Sequence, residues 1–491
     1  MLKEQIFHSI TMEPNIEGPI TVTEQSYPFC SMAHTREPLD LKKYGYVEEE
    51  YFLSGNVNLY QEDGDSMYVK EKNLPYKNRI MIRKPENKEN FSGRVFIDIY
   101  NASNGYDIED VWRRSYQYFL ENGHIYIGIT SKPINVWSLK NYDYERYKSL
   151  DWSAVKNIPQ PTIVKESMSI PGTEEGLFWD MLSQLAVLIR KEKADFLKDY
   201  TVDYLYLTGQ SQSGIYLNTY IYYFNDFLKN KDEEPLFDGY LNVVGAGVMR
   251  ALNQQEDEKE MFAVRTSKIS KMDVPFINIS SQGDLELFEA MSPNTVPLNA
   301  DNLSDNKIRH YEVASSPHTD PASVMIPANS EISKTKNPPK ILDSEYNYTV
   351  NDLKLDYYVN SALEFLHEWA ANDIKPPAGK LIEKDAAGNV LMDEHGNAKG
   401  GLRSPYVDVP IATYYANAKA DKDEVNPTVG NVNGSMKLFS KDKFLKLYGT
   451  KENYLEQFNH AVENQIKEGF ILMEDGKRMK NWAKSMTEQY F

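Results

Sequence analysis

The chain has 491 residues, 41% of them apolar and 26% charged, with a net charge of −18 and one cysteine, Cys30. That is the composition of a globular protein large enough for one big domain with additions, or for two. It excludes an internal disulfide framework, argues by its acidic balance against nucleic acid, which needs a basic face, and contains no run of the roughly 20 apolar residues needed to span a bilayer.

In chain order, residues 1–50 read as a lead-in packed on a core, and residues 1–20 hold no apolar stretch of signal-peptide length. As written, the chain is therefore expected in the cytoplasm, with secretion open if a leader precedes it. Cys30 is expected to be a buried structural thiol. From residue 51 to 375 apolar strand-like runs alternate with helical segments, which predicts an α/β fold with a mostly parallel central sheet covered by helices. The predicted strands are Tyr51 to Leu59, Arg79 to Arg83, Val95 to Tyr100, His124 to Thr130, Tyr204 to Thr208, Tyr240 to Val244, Val274 to Ser280 and Ile308 to Val313. Several are apolar throughout, as strands covered on both faces are.

Helices are predicted over residues 108–120, 174–197, the stretch after Ser211, and 351–371. In the third, Tyr216, Tyr220 and Phe224 recur every fourth residue and are read as core. Residues 131–171, rich in Trp, Tyr and Pro, lack periodicity and are expected to form a surface excursion beside the site, with Trp137 and Trp152 lining an aromatic pocket. Residues 376–491 read as an appended region with a turn-rich start and amphipathic helices at its end.

The chemistry concentrates at Gly209-Gln210-Ser211-Gln212-Ser213-Gly214, where a predicted strand runs directly into a predicted helix. Strand, sharp turn, helix is the setting in which a serine is held in strained backbone with its Oγ exposed. Small residues are needed two positions to each side, and Gly209 and Ser213 meet that need. Ser211 is the candidate nucleophile. Ser213 is a poor alternative because bulky Ile215 follows it in the corresponding place. A plain N-cap serine is the competing structural role.

A serine hydroxyl needs a base. Of the eight histidines, those after the serine are His310, His318, His367, His395 and His460. Only His318 falls in a loop after a predicted strand, where active-site groups of α/β sheets collect. The acid that orients the imidazole is expected after the preceding strand. Asp284 stands there, just past Gly283, which is read as permitting a tight turn, and Glu286 is its nearest competitor. For the oxyanion hole one donor is expected from the Gln212 N–H, and a second from the small-residue loop 101–105, through Ala102 or Ser103.

Several pieces together resemble a branch of the α/β-hydrolases known as "alpha/beta hydrolase domain" proteins. They are Gly45 to Gly55 (GYVEEEYFLSG), Tyr100 to Gly105 (YNASNG), Glu175 to Asp180 (EGLFWD), the SQSG run beginning at Ser211, and Gly400 to Pro410 (GGLRSPYVDVP). The resemblance implies an α/β-hydrolase fold and serine esterase chemistry with Ser211 as nucleophile and His318 as base; that chemistry is expected to need no cofactor. The late piece implies that the tail packs on the catalytic domain. Asn101, Trp137 and Arg403 are candidate substrate contacts, with a structural ion pair as the alternative for Arg403.

The expected reaction is hydrolysis of a small-molecule carboxylic ester through an acyl-enzyme. The same triad could serve a lactonase, acyltransferase, amidase or polyester depolymerase, and a non-catalytic binding module is the reading from another class. Gly245-Ala246-Gly247 lacks the third glycine of a dinucleotide fingerprint and is read as a tight turn. No histidine pair has zinc-ligand spacing, and no metal site is expected. The oligomeric state is not legible in the sequence.

Overall fold

The structure is a computed structural model. It describes residues 2–153, 170, 172–227, 229, 234–254, 265–266, 269–291, 306–319, 323–338, 348–417 and 432–488. Two compact units divide the chain: Met1–Ile269 with Val324–Lys340, and Ser270–Ser323 with Ile341–Phe491.

The first unit opens with helix α1 (Leu2–Ile10) and strand β1 (Asn15–Glu17), so the lead-in is partly regular. A long hairpin follows, β2 (Tyr46–Asp63) and β3 (Ser66–Pro85), closed by Gly64 and Asp65, with Gly64 at φ 61°. A two-residue turn that opens on glycine suits the twist of paired strands. The sequence predicts only Tyr51 to Leu59 and Arg79 to Arg83 of these strands, because the rest carries polar runs such as Gln61-Glu62-Asp63. Then come β4 (Arg94–Ile99), α2 (Asp110–Asn122), β5 (Ile125–Ile129), α3 (Pro133–Tyr142), α4 (Phe178–Arg190), β6 (Tyr204–Gln210), α5 (Gln212–Phe224) and β7 (Gly239–Val243).

Their spatial order is β1-β2-β3-β5-β4-β6-β7. The pairs from β1 to β5 are antiparallel, and those from β5 through β4 and β6 to β7 are parallel. Strands β5 and β7 are buried at every position, as strands covered on both faces must be. Tyr216, Tyr220 and Phe224 of α5 are core as predicted, each no more than 2% exposed. Cys30 is buried too, its thiol donating to the Asp107 carbonyl at 3.3 Å.

Buried charges lock the first unit. Arg79 of β3 donates to Glu50 and to Asp107, and Asp107 also accepts from Thr130 Oγ1 and Asn135 Nδ2 at 2.7 and 2.6 Å. Removing one member of such a network leaves an uncompensated charge and typically costs about 3–5 kcal/mol. Its consequence here is positional, since Asp107 closes the loop that begins at Asn101. The excursion expected at 131–171 is not irregular at its start. Pro133 at the first helical position starts α3, most of which is buried; residues 154–169 and 171 lie outside the described residues.

In the second unit β8 (Phe276–Ser281) leads straight into α6 (Gln282–Met291), and β9 (Ile308–Val313) pairs parallel with β8. Helix α7 (Asp356–Asn372) follows, then the short pair β10 (Ala412–Tyr415) and β11 (Ser435–Leu438), and helices α8 (Lys441–Tyr448), α9 (Lys451–Glu468) and α10 (Met473–Thr487). The segment between α7 and β10 runs along β9, bridging Tyr311 to Lys380 and Val313 to Leu402. This covers backbone groups of β9 that would otherwise stand open. No helix among the described residues is long and apolar enough to cross a membrane.

Candidate active site

Strand β6 ends at Gln210, and Ser211 turns the chain into α5 with φ 54° and ψ −120°. Backbone of this kind costs about 1–3 kcal/mol in a non-glycine residue, and it persists only where the surroundings enforce it. Here the Ser211 N–H donates to the Val243 carbonyl at 2.8 Å, and the Ser211 carbonyl accepts from Ile215 N–H at 3.0 Å. A Cβ on Gly209 would lie 2.5 Å from the Ser213 carbonyl oxygen, which is why glycine is required before the turn. Ser211 and Gln212 are partly exposed, whereas Ser213 is buried, which leaves Ser211 as the accessible hydroxyl.

After β7 the chain bends through Val244 and Ala246, both at positive φ (46° and 48°). The turn read at Gly245 therefore places its strain on Val244, a β-branched residue for which that conformation is an outlier. Two buried asparagines hold it: Asn218 Nδ2 and Asn242 Nδ2 donate to the Ala246 carbonyl at 3.0 and 3.2 Å. Sequence reasoning missed both. The available signal was an asparagine inside the apolar strand run Tyr240 to Val244.

The loop after β4 reaches the elbow. Asn101 Nδ2 donates to the Gln210 carbonyl at 3.1 Å, and Asn101 Oδ1 accepts from the Ser103 N–H at 2.7 Å. The Asn101 amide, expected to face a substrate, joins the loop to the elbow and holds the Ser103 N–H, while the Ala102 N–H points at the residue after Ser211. That N–H donates to Gln212 Oε1 at 3.3 Å.

Lys132, just beyond β5, is a further group that no motif signalled. Its ammonium lies 3.6 Å from Glu175 and 4.4 Å from the Tyr216 ring centroid, and burial, with Arg250 nearby, pulls it down to about 7. Tyr216 donates to Glu175 at 2.8 Å.

The second unit holds the predicted acid and base together. His318 Nδ1 donates to Asp284 Oδ1, and both side chains are buried. Asp284 Oδ2 also accepts from the Ser281 N–H at 3.0 Å. The carboxylate is thereby fixed from two sides. Asp284 sits in the first turn of α6 and not in a loop, and Gly283 is not at positive φ. The glycine is needed for close approach instead, because a Cβ there would lie 2.8 Å from the His318 nitrogen. The Glu286 side chain lies outside the described residues. The rival His310 has Nδ1 against Asn278 Nδ2 at 2.6 Å and Nε2 against Glu312 at 3.3 Å, which commits both ring nitrogens within the protein.

The remaining expected substrate contacts fare differently. Arg403 borders a cavity of about 530 Å³ in the second unit, but its guanidinium is held by Asp393 at 2.9 Å and Asp408 at 2.7 Å, so the structural ion pair is what forms. Trp137 lies on α3 and is 37% exposed, while Trp152 is 2% exposed and stacks on Phe178. Trp152 is core, and the expected aromatic pocket does not form from this pair.

The order of strands, the strained serine between β6 and α5, and the loop folded against it together define an α/β-hydrolase fold. The chain belongs to the family described as alpha/beta hydrolase domain, which matches residues 16–481. Among solved structures it is similar to esterase B from Lactobacillus Rhamnosis, at 10% identity over 55% of this chain and 74% of that one, with a TM-score of 0.26. It is also similar to an alpha-beta serine hydrolase homologue from Coxiella burnetii, at 10% identity over 48% of this chain and 82% of that one, with a TM-score of 0.24. A serine hydrolase from Xanthomonas campestris is similar at 11% identity over 53% and 83%, with a TM-score of 0.24. No curated protein matches the chain in sequence.

Proposed function

We propose that the protein is a serine hydrolase that cleaves carboxylic esters of small molecules through an acyl-enzyme, with Ser211 as nucleophile, His318 as base and Asp284 as the orienting acid. The observation that carries this reading is the backbone of Ser211, φ 54° and ψ −120°, between a buried strand and a helix. A non-glycine residue held in that conformation at a strand-to-helix turn is the setting in which a serine hydroxyl is presented.

The chemistry follows from the groups. With its proton on Nδ1 directed at Asp284, the imidazole has its lone pair on Nε2. Nε2 takes the proton of the Ser211 hydroxyl as Oγ bonds to the ester carbon, and the carbonyl electron pair moves onto oxygen. The N–H groups of Gln212 and Ala102 receive that oxyanion, and one such donor is typically worth about 3–4 kcal/mol. Collapse breaks the bond to the alcohol oxygen, which leaves with the proton from Nε2. Water, deprotonated by the same nitrogen, then releases the acid and restores Ser211.

The test is labelling of the full chain by a fluorophosphonate probe, together with hydrolysis of p-nitrophenyl acetate. Wild type is expected to be labelled and active, and Ser211→Ala neither. A Ser211→Ala protein with full activity sinks the assignment, and a wild-type chain that neither labels nor hydrolyses sinks catalysis itself in favour of a binding module. Product analysis with lactone, amide and added alcohol separates ester hydrolysis from its variants on the same triad.

A further inference from the structure

His318 is presented by a loop whose backbone is under strain. The chain leaves β9 at Val313, and Ser315 adopts φ 60°, a left-handed conformation that is unfavourable for a non-glycine residue. Every polar group of Ser315 is engaged. Its N–H donates to Gln282 Oε1 at 3.0 Å, two residues ahead of Asp284. Its carbonyl accepts from Asn351 Nδ2 at 2.9 Å, and its Oγ accepts from the Ala398 N–H at 2.9 Å. The next carbonyl, that of Ser316, accepts from the Gly283 N–H at 3.1 Å. The strand-to-histidine loop is thus zipped to the helix that carries the acid, and it is gripped from the other side by residues far along the chain.

Asn351 is the centre of that grip. It is 2% exposed, its Nδ2 donates to the carbonyls of Ser315 and Tyr415, and its Oδ1 accepts from the Leu353 N–H at 3.0 Å. Two carbonyls on one side and an N–H on the other fix the orientation of the amide. Aspartate lacks the donors, and an apolar residue would leave buried carbonyls unpaired.

We propose that Asn351, through its amide, and Ala398, through its N–H, form a clamp on Ser315 that positions His318 against Asp284. The region after residue 341 is on this view part of the catalytic apparatus and not only a cover. The inference rests on the reading of His318 as base. Asn351 touches neither substrate nor reacting atoms and is a positioning residue.

The experiment compares wild type, Asn351→Ala, Ser315→Ala and His318→Ala as full chains, with p-nitrophenyl acetate and a fluorophosphonate probe, alongside near-UV circular dichroism and thermal midpoints. For folded Asn351→Ala, kcat is expected to fall 10- to 100-fold, with KM within twofold and the labelling rate falling in parallel with kcat. Ser315→Ala, which removes only the Ala398 tether, is expected to show the same split at about 3- to 10-fold. If Asn351→Ala folds and keeps kcat and labelling within twofold of wild type, the clamp is refuted. If Asn351→Ala does not fold, Ser315→Ala decides: an unchanged kcat refutes the clamp, and the expected split supports it. An active His318→Ala overturns the functional reading itself, whereas an inactive His318→Ala beside a fully active Asn351→Ala overturns the clamp alone.

Discussion

The backbone N–H of Ala102 donates to the side-chain oxygen of Gln212 at 3.3 Å, so an amide oxygen of the protein occupies a donor that an ester oxyanion would need. On the proposed mechanism this bond must open for substrate to enter. A neutral hydrogen bond contributes about 1 kcal/mol net, which corresponds to about fivefold in a rate or affinity. Gln212→Ala keeps the backbone N–H and removes the occupant. Its kcat/KM for p-nitrophenyl acetate is expected to rise about fivefold, and a decrease would mean that the side chain assists the reaction instead.

Asp284 is fixed by Ser281 and faces Nδ1 of His318. Asp284→Asn keeps the shape but no longer favours the tautomer with its proton on Nδ1. The expected outcome is a fall in kcat of about 10⁴-fold, the size seen for the equivalent change in a Ser-His-Asp protease. Steady-state kinetics on the folded variant provide the check, and a loss under tenfold would point to another acid.

Two glycines are required by space. A methyl group would lie 2.5 Å from Ser213 O at Gly209, and 2.8 Å from the His318 nitrogen at Gly283. Both obstacles are backbone, so relief requires movement of the elbow or of the histidine loop. Overpacking of this kind costs about 1–3 kcal/mol. Gly209→Ala and Gly283→Ala are each expected to lower the thermal midpoint and to reduce kcat more than tenfold, measured by calorimetry and ester hydrolysis.

Glu174 yields a pH prediction. Burial pushes its carboxyl up to about 7 from 4.5, while one oxygen, Oε1, accepts from the N–H groups of Gly176 and Gln254 at 2.8 and 2.7 Å. Between these two pH values the folded state binds more protons than the unfolded state, so this group lowers stability as pH rises, and the cost is complete above about 7. Glutamine keeps the accepting oxygen without the charge. Relative to wild type, Glu174→Gln is expected to be little changed near pH 4 and to gain progressively up to pH 7.5, by at most on the order of 3 kcal/mol. Urea midpoints across that range test it, and a variant less stable at pH 7.5 than wild type contradicts it.

What the sequence by itself determined was local. The strand into Ser211 and the helix after it are contiguous, so their periodicity and the small residues around the turn could be read directly. Asp284 and His318 were singled out because each follows a predicted strand, and those strands, ending at Ser280 and Val313, end within one residue of β8 and β9. The tertiary structure decided what depends on partners distant along the chain. Asn101 ties a loop to Gln210, Arg403 closes on two carboxylates, Gly283 makes room for His318, and Asn351 grips Ser315. None of these leaves a local mark, because a buried amide or a glycine looks the same in sequence whatever it faces. Hydrogen bonds and close approach are satisfied in space, between residues that chain folding brings together.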